Sequence, residues 1–307
     1  MGEQRMIDNH QLFKKSFFDS GAVRVLREAD LKRLQKIELD MVKDFDVVAQ
    51  KYGLNYSLGG GSVLGAIRHH GFIPWDDDID INMPRNDFNI LVGIFEQELG
   101  GKYELCTPEH TKHHGMSNVQ VKKKGTVYQS FNELSKTNVG IYFDIFVSEN
   151  VFDNKVLRTV HGFFSLAFGY LLTCRKTWHD KPYLQKYIGK SKVLKDAFGK
   201  KANIGSLFAW IPLDVITRWT VRIYSFCKND TTQNITFPSG RKHFFGEIGL
   251  RSEMQEVIYV PFEDTELPVP KGYDVYLRRL YGDNYMELPP VGKREQHPLM
   301  KVDFGEE

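Results

Sequence analysis

Asp76, Asp77, Asp78 and Asp80 crowd four carboxylates into five consecutive positions. Neighbouring carboxylates repel by about 4 kcal/mol per pair at contact distance in a medium of intermediate dielectric. A solvated loop would let them point apart, but Ile73, Trp75, Ile79 and Ile81 are interleaved with them. Strand geometry puts Asp78 and Asp80 on one face and Ile79 and Ile81 on the other, so two carboxylates converge while the isoleucines anchor the segment in a core. Such a pair suits a hard divalent cation, and Mg²⁺ takes one or two carboxylates plus phosphate oxygens and waters. An EF-hand loop would spread its acids over about twelve positions and end on a glutamate, a pattern absent here. An acidic surface turn is the plain alternative, and the apolar alternation argues against it.

A third carboxylate is expected on a neighbouring strand. Asp144 is the lone acid in Ile141-Tyr142-Phe143-Asp144-Ile145-Phe146, where burial is unfavourable unless a metal or a partner compensates. A structural salt bridge is the competing reading. The other half of a phosphate site lies in Gly59-Gly60-Gly61-Ser62. Glycines let backbone N–H groups approach a ligand closely, and the N-terminus of a following helix favours negative charge. Arg68 and Lys122 or Lys123 are candidates to neutralise further phosphate charge, although each taken alone reads first as a solvated surface cation.

The elements that must position these residues follow from periodicity. Leu34, Ile37, Met41, Phe45 and Val48 form the stripe of an amphipathic helix over Asp30 to Lys51, stopped by Gly53. Asn55 to Leu58 reads as a short strand, the glycines as a tight turn, and Ser62 to His70 as a helix ended by Gly71. The acidic strand ends at Pro84, and a second amphipathic helix runs from Arg85 to Leu99. Strands are expected at Tyr103–Thr107, Asn118–Lys123, Thr126–Gln129 and Gly140–Phe146. Beyond about Asn150, Val156–Trp178 and Ile204–Lys228 read as aromatic-rich helices, with aromatic residues at helical spacing taken as core. Tyr259–Phe262 and Thr265–Val269 look extended, and Tyr273–Leu280 helical. The expected organisation is a catalytic lobe over 1–150, a mostly helical lobe over 151–258, and a segment over 259–307. Gly282, Pro289, Pro290 and Gly292 would stiffen that last segment so that it folds back on the first lobe.

Composition sets the outer bounds. The 307 residues carry 41 Lys and Arg against 39 Asp and Glu, so bulk nucleic-acid binding is not expected and any charge-driven function is local. Cys106, Cys174 and Cys227 are odd in number and lack a CxxC, which argues against a disulfide framework or zinc finger and for a reducing compartment. The amino terminus lacks the apolar run of a signal peptide, and the expected location is the cytoplasm. Phe163 to Cys174, the most apolar stretch, is about 12 residues against the roughly 20 of a bilayer span, so no segment is expected to cross. It reads as a buried core helix, with contact at the inner face of a membrane as the alternative, since Arg158, Arg175 and Lys176 flank it.

Gly60-Gly61-Ser62 through Leu64-Gly65-Ala66-Ile67-Arg68, followed by Gly71-Phe72-Ile73-Pro74-Trp75-Asp76-Asp77-Asp78-Ile79-Asp80, closely resembles the LicD family, the wider group of fukutin and fukutin-related protein. The resemblance extends to Phe143-Asp144-Ile145-Phe146. It also covers a C-terminal stretch with Pro268-Val269-Pro270, Tyr276-Leu277, Tyr281-Gly282-Asp283, Pro289-Pro290 and His297. Val147-Ser148 departs from the family, where a proline and another acid are usual. The resemblance implies an α+β, nucleotidyltransferase-like mixed sheet with flanking helices, joined here to the helical lobe. It further implies transfer of a phospho-alcohol, phosphocholine foremost, from a CDP-activated donor such as CDP-choline or CDP-ribitol. The acceptor would be a sugar hydroxyl of a surface glycan (teichoic acid or lipopolysaccharide) or its lipid-linked precursor, and CMP would be released. Asp78, Asp80 and Asp144 would then hold Mg²⁺ or Mn²⁺, and Gly60, Gly61 and Ser62 the donor phosphate. His297 becomes a candidate substrate contact, and Asp144 or Asp76 the group that orients or deprotonates the acceptor.

Three other readings share these residues: a nucleotidyltransferase that releases pyrophosphate from an NTP, a metal-dependent glycosyltransferase, and a non-catalytic scaffold for glycan assembly. The glycine turn lying ahead of the acidic strand argues against the glycosyltransferase.

Overall fold

The computed structural model describes residues 25–130, 133–135, 139–188, 192–294 and 299–305. Its first helix, α1 (Glu28–Tyr52), ends on Gly53, whose φ of 62° suits glycine. β1 (Ser57–Leu58) leads into α2 (Gly60–His69), and β2 (Asp80–Pro84) into α3 (Arg85–Glu98). β3 (Tyr103–Cys106), β4 (Val119–Lys123), β5 (Val127–Ser130) and β6 (Tyr142–Val151) follow. The helical stretch comprises α4 (Lys155–Ile188), α5 (Lys192–Leu207) and α6 (Leu213–Tyr224). Then come β7 (Asn234–Thr236), α7 (His243–Gly246), β8 (Gly249–Leu250), α8 (Arg251–Gln255), β9 (Val257–Phe262), β10 (Thr265–Pro270), α9 (Tyr273–Tyr281) and β11 (Leu299–Asp303).

The main sheet runs β1-β2-β6-β4-β3, with β7 and then β8 joined through the far end of β6. Only β2 and β6 are parallel; every other pairing in it is antiparallel. The expected α+β mixed sheet is therefore present, with a mostly helical stretch following it. Ile79, Ile81, Phe143 and Ile145 are fully buried beneath α1, which contributes Leu34, Met41 and Phe45 to the same core. β5 pairs with β11, and β9 with β10, as separate two-stranded ribbons.

Four elements differ from their sequence readings. The glycine turn is already helix: Gly59 is the N-cap of α2, so Gly60, Gly61 and Ser62 form its first turn. Asp78 precedes the strand, which starts at Asp80, although the alternation of partly exposed acid and buried isoleucine holds from Asp78 to Ile81. Ile204–Lys228 is broken because Pro212 cannot continue a helix and instead caps α6. The Phe163–Cys174 stretch belongs to a helix of 34 residues. Arg175 lies within that helix, its guanidinium buried and donating to the carbonyls of Ala209 and Ile211. Over Lys155–Gln185 this is the one helix among the described residues long and apolar enough, by length and composition alone, to cross a membrane. It is not the buried core helix expected, since only 22% of its apolar window is buried. Tyr170, Tyr183, Trp210 and Trp219 are likewise exposed rather than core.

Candidate active site

The parallel register of β2 and β6 sets Asp80 directly beside Asp144. Partners in a parallel pair project from the same face, so the two carboxylates share it. Asn118, just ahead of β4, donates from Nδ2 to Asp144 Oδ1 at 2.7 Å. Burial, with Asp78 and Glu133 nearby, still pushes the Asp144 carboxyl up to about 7.

α2 is bolted to the acidic strand. Asp80 N–H donates to Ser62 Oγ at 2.8 Å, and Gly59 N–H donates to the Asp80 carbonyl at 2.8 Å. A Cβ on Gly60 would lie 3.1 Å from Asp80 Oδ2, and one on Gly61 3.0 Å from Asp76 Oδ2. The Tyr281 hydroxyl would be 3.8 and 3.9 Å from those same positions. The first turn of a helix, two carboxylates and a phenol thus face one another across a gap that a methyl group would fill. The positive φ of Gly60, 43°, adds a backbone reason for glycine.

The connection carrying Asp76 is held from three sides. Gln35 of α1 donates to the Asp76 carbonyl at 2.8 Å. Glu263, in the β9–β10 turn, accepts the Phe72 N–H at 3.0 Å. Gly65 of α2 lets the chain pass so closely that a Cβ there would sit 2.5 Å from the Gly71 carbonyl oxygen. Asp77 points into the interior and accepts the Tyr128 hydroxyl at 2.8 Å.

The cations lie elsewhere. Arg68 Nη1 donates to the carbonyls of Tyr285 at 2.8 Å and Glu287 at 3.2 Å, fastening the C-terminal segment to α2. Lys122 shares the Asp144 face of the sheet but is buried in an ion pair with Glu133 at 2.6 Å. Lys123 lies over the Tyr103 ring. His297 lies outside the described residues.

Three contributors were not singled out by sequence reasoning. Glu38 is buried on α1, and Oε2 has no hydrogen-bond partner. Burial, then Asp78 and its neighbours, push its carboxyl well above the usual carboxylate range. Its signal was available: Glu38 follows Leu34 by four and precedes Met41 by three, a carboxylate inside an apolar stripe. Tyr276 accepts the Gly60 N–H at 3.0 Å, and burial, with Tyr276 and Asp80 nearby, holds the Tyr281 phenol protonated. Both tyrosines were visible only as part of a C-terminal pattern. Among the described residues, no three His, Cys, Asp or Glu side chains stand close enough together to hold an ion by themselves.

A helix N-terminus abutting paired aspartates on a mixed sheet is the arrangement of a nucleotidyltransferase-type domain, and residues 53–163 match the LicD/FKTN/FKRP nucleotidyltransferase domain. These residues are thus similar to a LicD-type nucleotidyltransferase domain. The chain is 27% identical to the lipopolysaccharide cholinephosphotransferase LicD of Haemophilus influenzae over 290 residues, 90% of this chain and 99% of that protein. It is 44% identical to the human ribitol 5-phosphate transferase FKRP over 55 residues, 18% of this chain and 10% of the human one. The mouse FKRP matches to the same extent.

Proposed function

We propose that this LicD-type phosphotransferase moves phosphocholine from CDP-choline to a sugar hydroxyl of a surface glycan or its lipid-linked precursor, releasing CMP. The observation that carries the reading is the pair Asp80 and Asp144 in parallel register, with Asp80 against the glycine turn of α2. Likeness to the Haemophilus protein along nearly its whole length favours choline over ribitol as the alcohol.

Asp78, Asp80 and Asp144 would hold Mg²⁺ or Mn²⁺ together with the donor's phosphate oxygens, since the three carboxylates are not gathered closely enough to hold an ion by themselves. The donor set fits a hard cation: oxygen ligands only, in a pocket where burial and mutual repulsion already disfavour the Asp144 negative charge, with phosphate oxygens and water completing the shell. When bound, the metal supplies positive charge to the donor diphosphate. The first turn of α2 brings the positive helix end, and the close approach its glycines allow, to the phosphates. Tyr281, kept protonated by burial, donates a hydrogen bond to a phosphate oxygen. Asp76, against the glycine turn, orients the acceptor hydroxyl and accepts its proton. The acceptor oxygen then bonds to the phosphorus bearing choline as the bond from that phosphorus to CMP breaks in line.

The test supplies CDP-choline, CDP-ribitol or CTP to the purified protein with Mg²⁺ and measures CMP and pyrophosphate. CMP from CDP-choline, abolished by EDTA, is the expected result. Pyrophosphate from CTP would make the protein a nucleotidyltransferase, and metal binding with no turnover of any donor would make it a scaffold.

A further inference from the structure

Over its first turns α4 is built inside out. On its packed side, His161 is 4% and Ser165 1% exposed, while Val156 is 71%, Phe163 64% and Phe164 54% exposed. The polar residues of the first turns face protein, where His161 bonds the Ile223 carbonyl at 2.7 Å and Ser165 donates to the His161 carbonyl. The apolar ones face outward. Val156, Val160, Phe163 and Tyr170 recur at intervals of four, three and seven, so they form one stripe along the helix. Phe245 of α7 meets Phe163 edge-on, with ring centroids 5.9 Å apart, and extends the patch beyond the helix. Contiguous exposed apolar surface of this kind marks an interaction site.

Charge identifies the partner. Residues 155–228 hold 14 Lys and Arg against three Asp, a net +11, in a chain whose total is +2. The rest of the chain is therefore net acidic, with 27 basic and 36 acidic residues. An outward apolar stripe on a strongly basic helical unit is complementary to an anionic lipid surface, where Lys and Arg near the headgroups add electrostatic attraction.

The helix lies on such a surface rather than crossing it. Its other side is committed to protein: Thr220 of α6 donates to the Phe168 carbonyl, and the Tyr224 hydroxyl lies 2.6 Å from where a Cβ on Gly169 would be. The stripe from Val156 to Tyr170 is 15 residues, about 21 Å at the helical rise, shorter than the roughly 30 Å hydrocarbon core. We propose that the outer face of α4 with Phe245 docks the protein peripherally on an anionic membrane. This rests on surface chemistry alone and is independent of the transfer reaction.

The test is co-sedimentation of the full chain with vesicles of phosphatidylcholine containing phosphatidylglycerol, and with pure phosphatidylcholine, without donor or acceptor. Wild type is expected to bind the anionic vesicles, to bind neutral ones at least about tenfold more weakly, and to be released as NaCl rises from about 0.1 to about 0.5 M. Phe163→Glu/Phe164→Glu should reduce binding at least about tenfold while keeping the wild-type circular-dichroism melt. Val156→Glu, at the most exposed of these positions, serves if the double variant does not fold. Failure of wild type to bind, or wild-type binding by the folded variants, overturns the proposal. So does a wild-type dimer in light scattering that the variant converts to a monomer without any vesicle binding, which would give the face to a second copy of the chain.

Discussion

Asp80 is held through its backbone at both N–H and C=O, by Ser62 and Gly59, so Asp80→Asn removes a charge without loosening the strand. Transfer is expected to fall by on the order of 100-fold or more, with the melting temperature equal to or above that of wild type because carboxylate repulsion is relieved. Mg²⁺ should raise the wild-type melting temperature more than the variant's. Equal shifts would place the cation elsewhere. Asp144 makes a separate prediction through pH. Its carboxyl rises from an ordinary 3.8 to about 7 in the fold. Folding therefore favours the protonated form, and the stability this contributes is complete below about pH 4 and lost as pH climbs through about 7. Asp144→Asn keeps an amide oxygen for Asn118. In metal-free buffer it should match wild type near about pH 4 and melt a few degrees higher near about pH 8. Identical melts at both values would refute the buried-charge account.

Two elements, α2 and β2, carry the site, and their fit depends on the absence of a side chain at Gly65. A Cβ there meets the Gly71 carbonyl at 2.5 Å and the Ile73 nitrogen at 3.2 Å, both backbone atoms that cannot swing aside. Gly65→Ala is expected to destabilise the fold by about 1–3 kcal/mol in urea unfolding. It should also weaken CDP-choline binding in calorimetry, since the connection bearing Asp76 must shift. Unchanged stability would mean that the loop has room to move. At this scale most elements were legible: the stripe of α1, the Gly53 stop, Pro84 ending β2, and the β9–β10 and α9 readings fall within a few residues of the observed ones. The start of α2 was not, because glycines signal a turn locally while hydrogen bonds from Ser62 and Val63 to the Gly59 carbonyl make the same residues helix.

Across the whole molecule, the C-terminal segment is tied in at widely spaced points. Arg68 grips the carbonyls of Tyr285 and Glu287, Arg294 lies over the Trp75 ring at 4.1 Å, and β11 pairs with β5. Leu299 is buried and Arg33 lies over Phe304. Deleting residues 299–307 should therefore lower the melting temperature by several degrees and increase aggregation, because β5 loses the strand it pairs with. A truncated protein that melts with wild type and stays monodisperse in light scattering would show that this ribbon adds nothing to the fold.

By itself the sequence determined which residues can carry negative charge beside a glycine turn, and on which side of a strand they fall. Those properties depend on residue type and on periods of a few residues. Only the tertiary structure decided that Asp144 stands beside Asp80, since register between strands more than 60 residues apart is set by packing of both faces. It likewise decided that Arg68 and Lys122 bind protein groups and that Glu38 and Tyr281 approach the acids. It also turned the apolar face of α4 outward, where the aromatic run had read as core. Hydrophobicity states what a helix can bury, and only the arrangement of its neighbours settles which side is covered by protein.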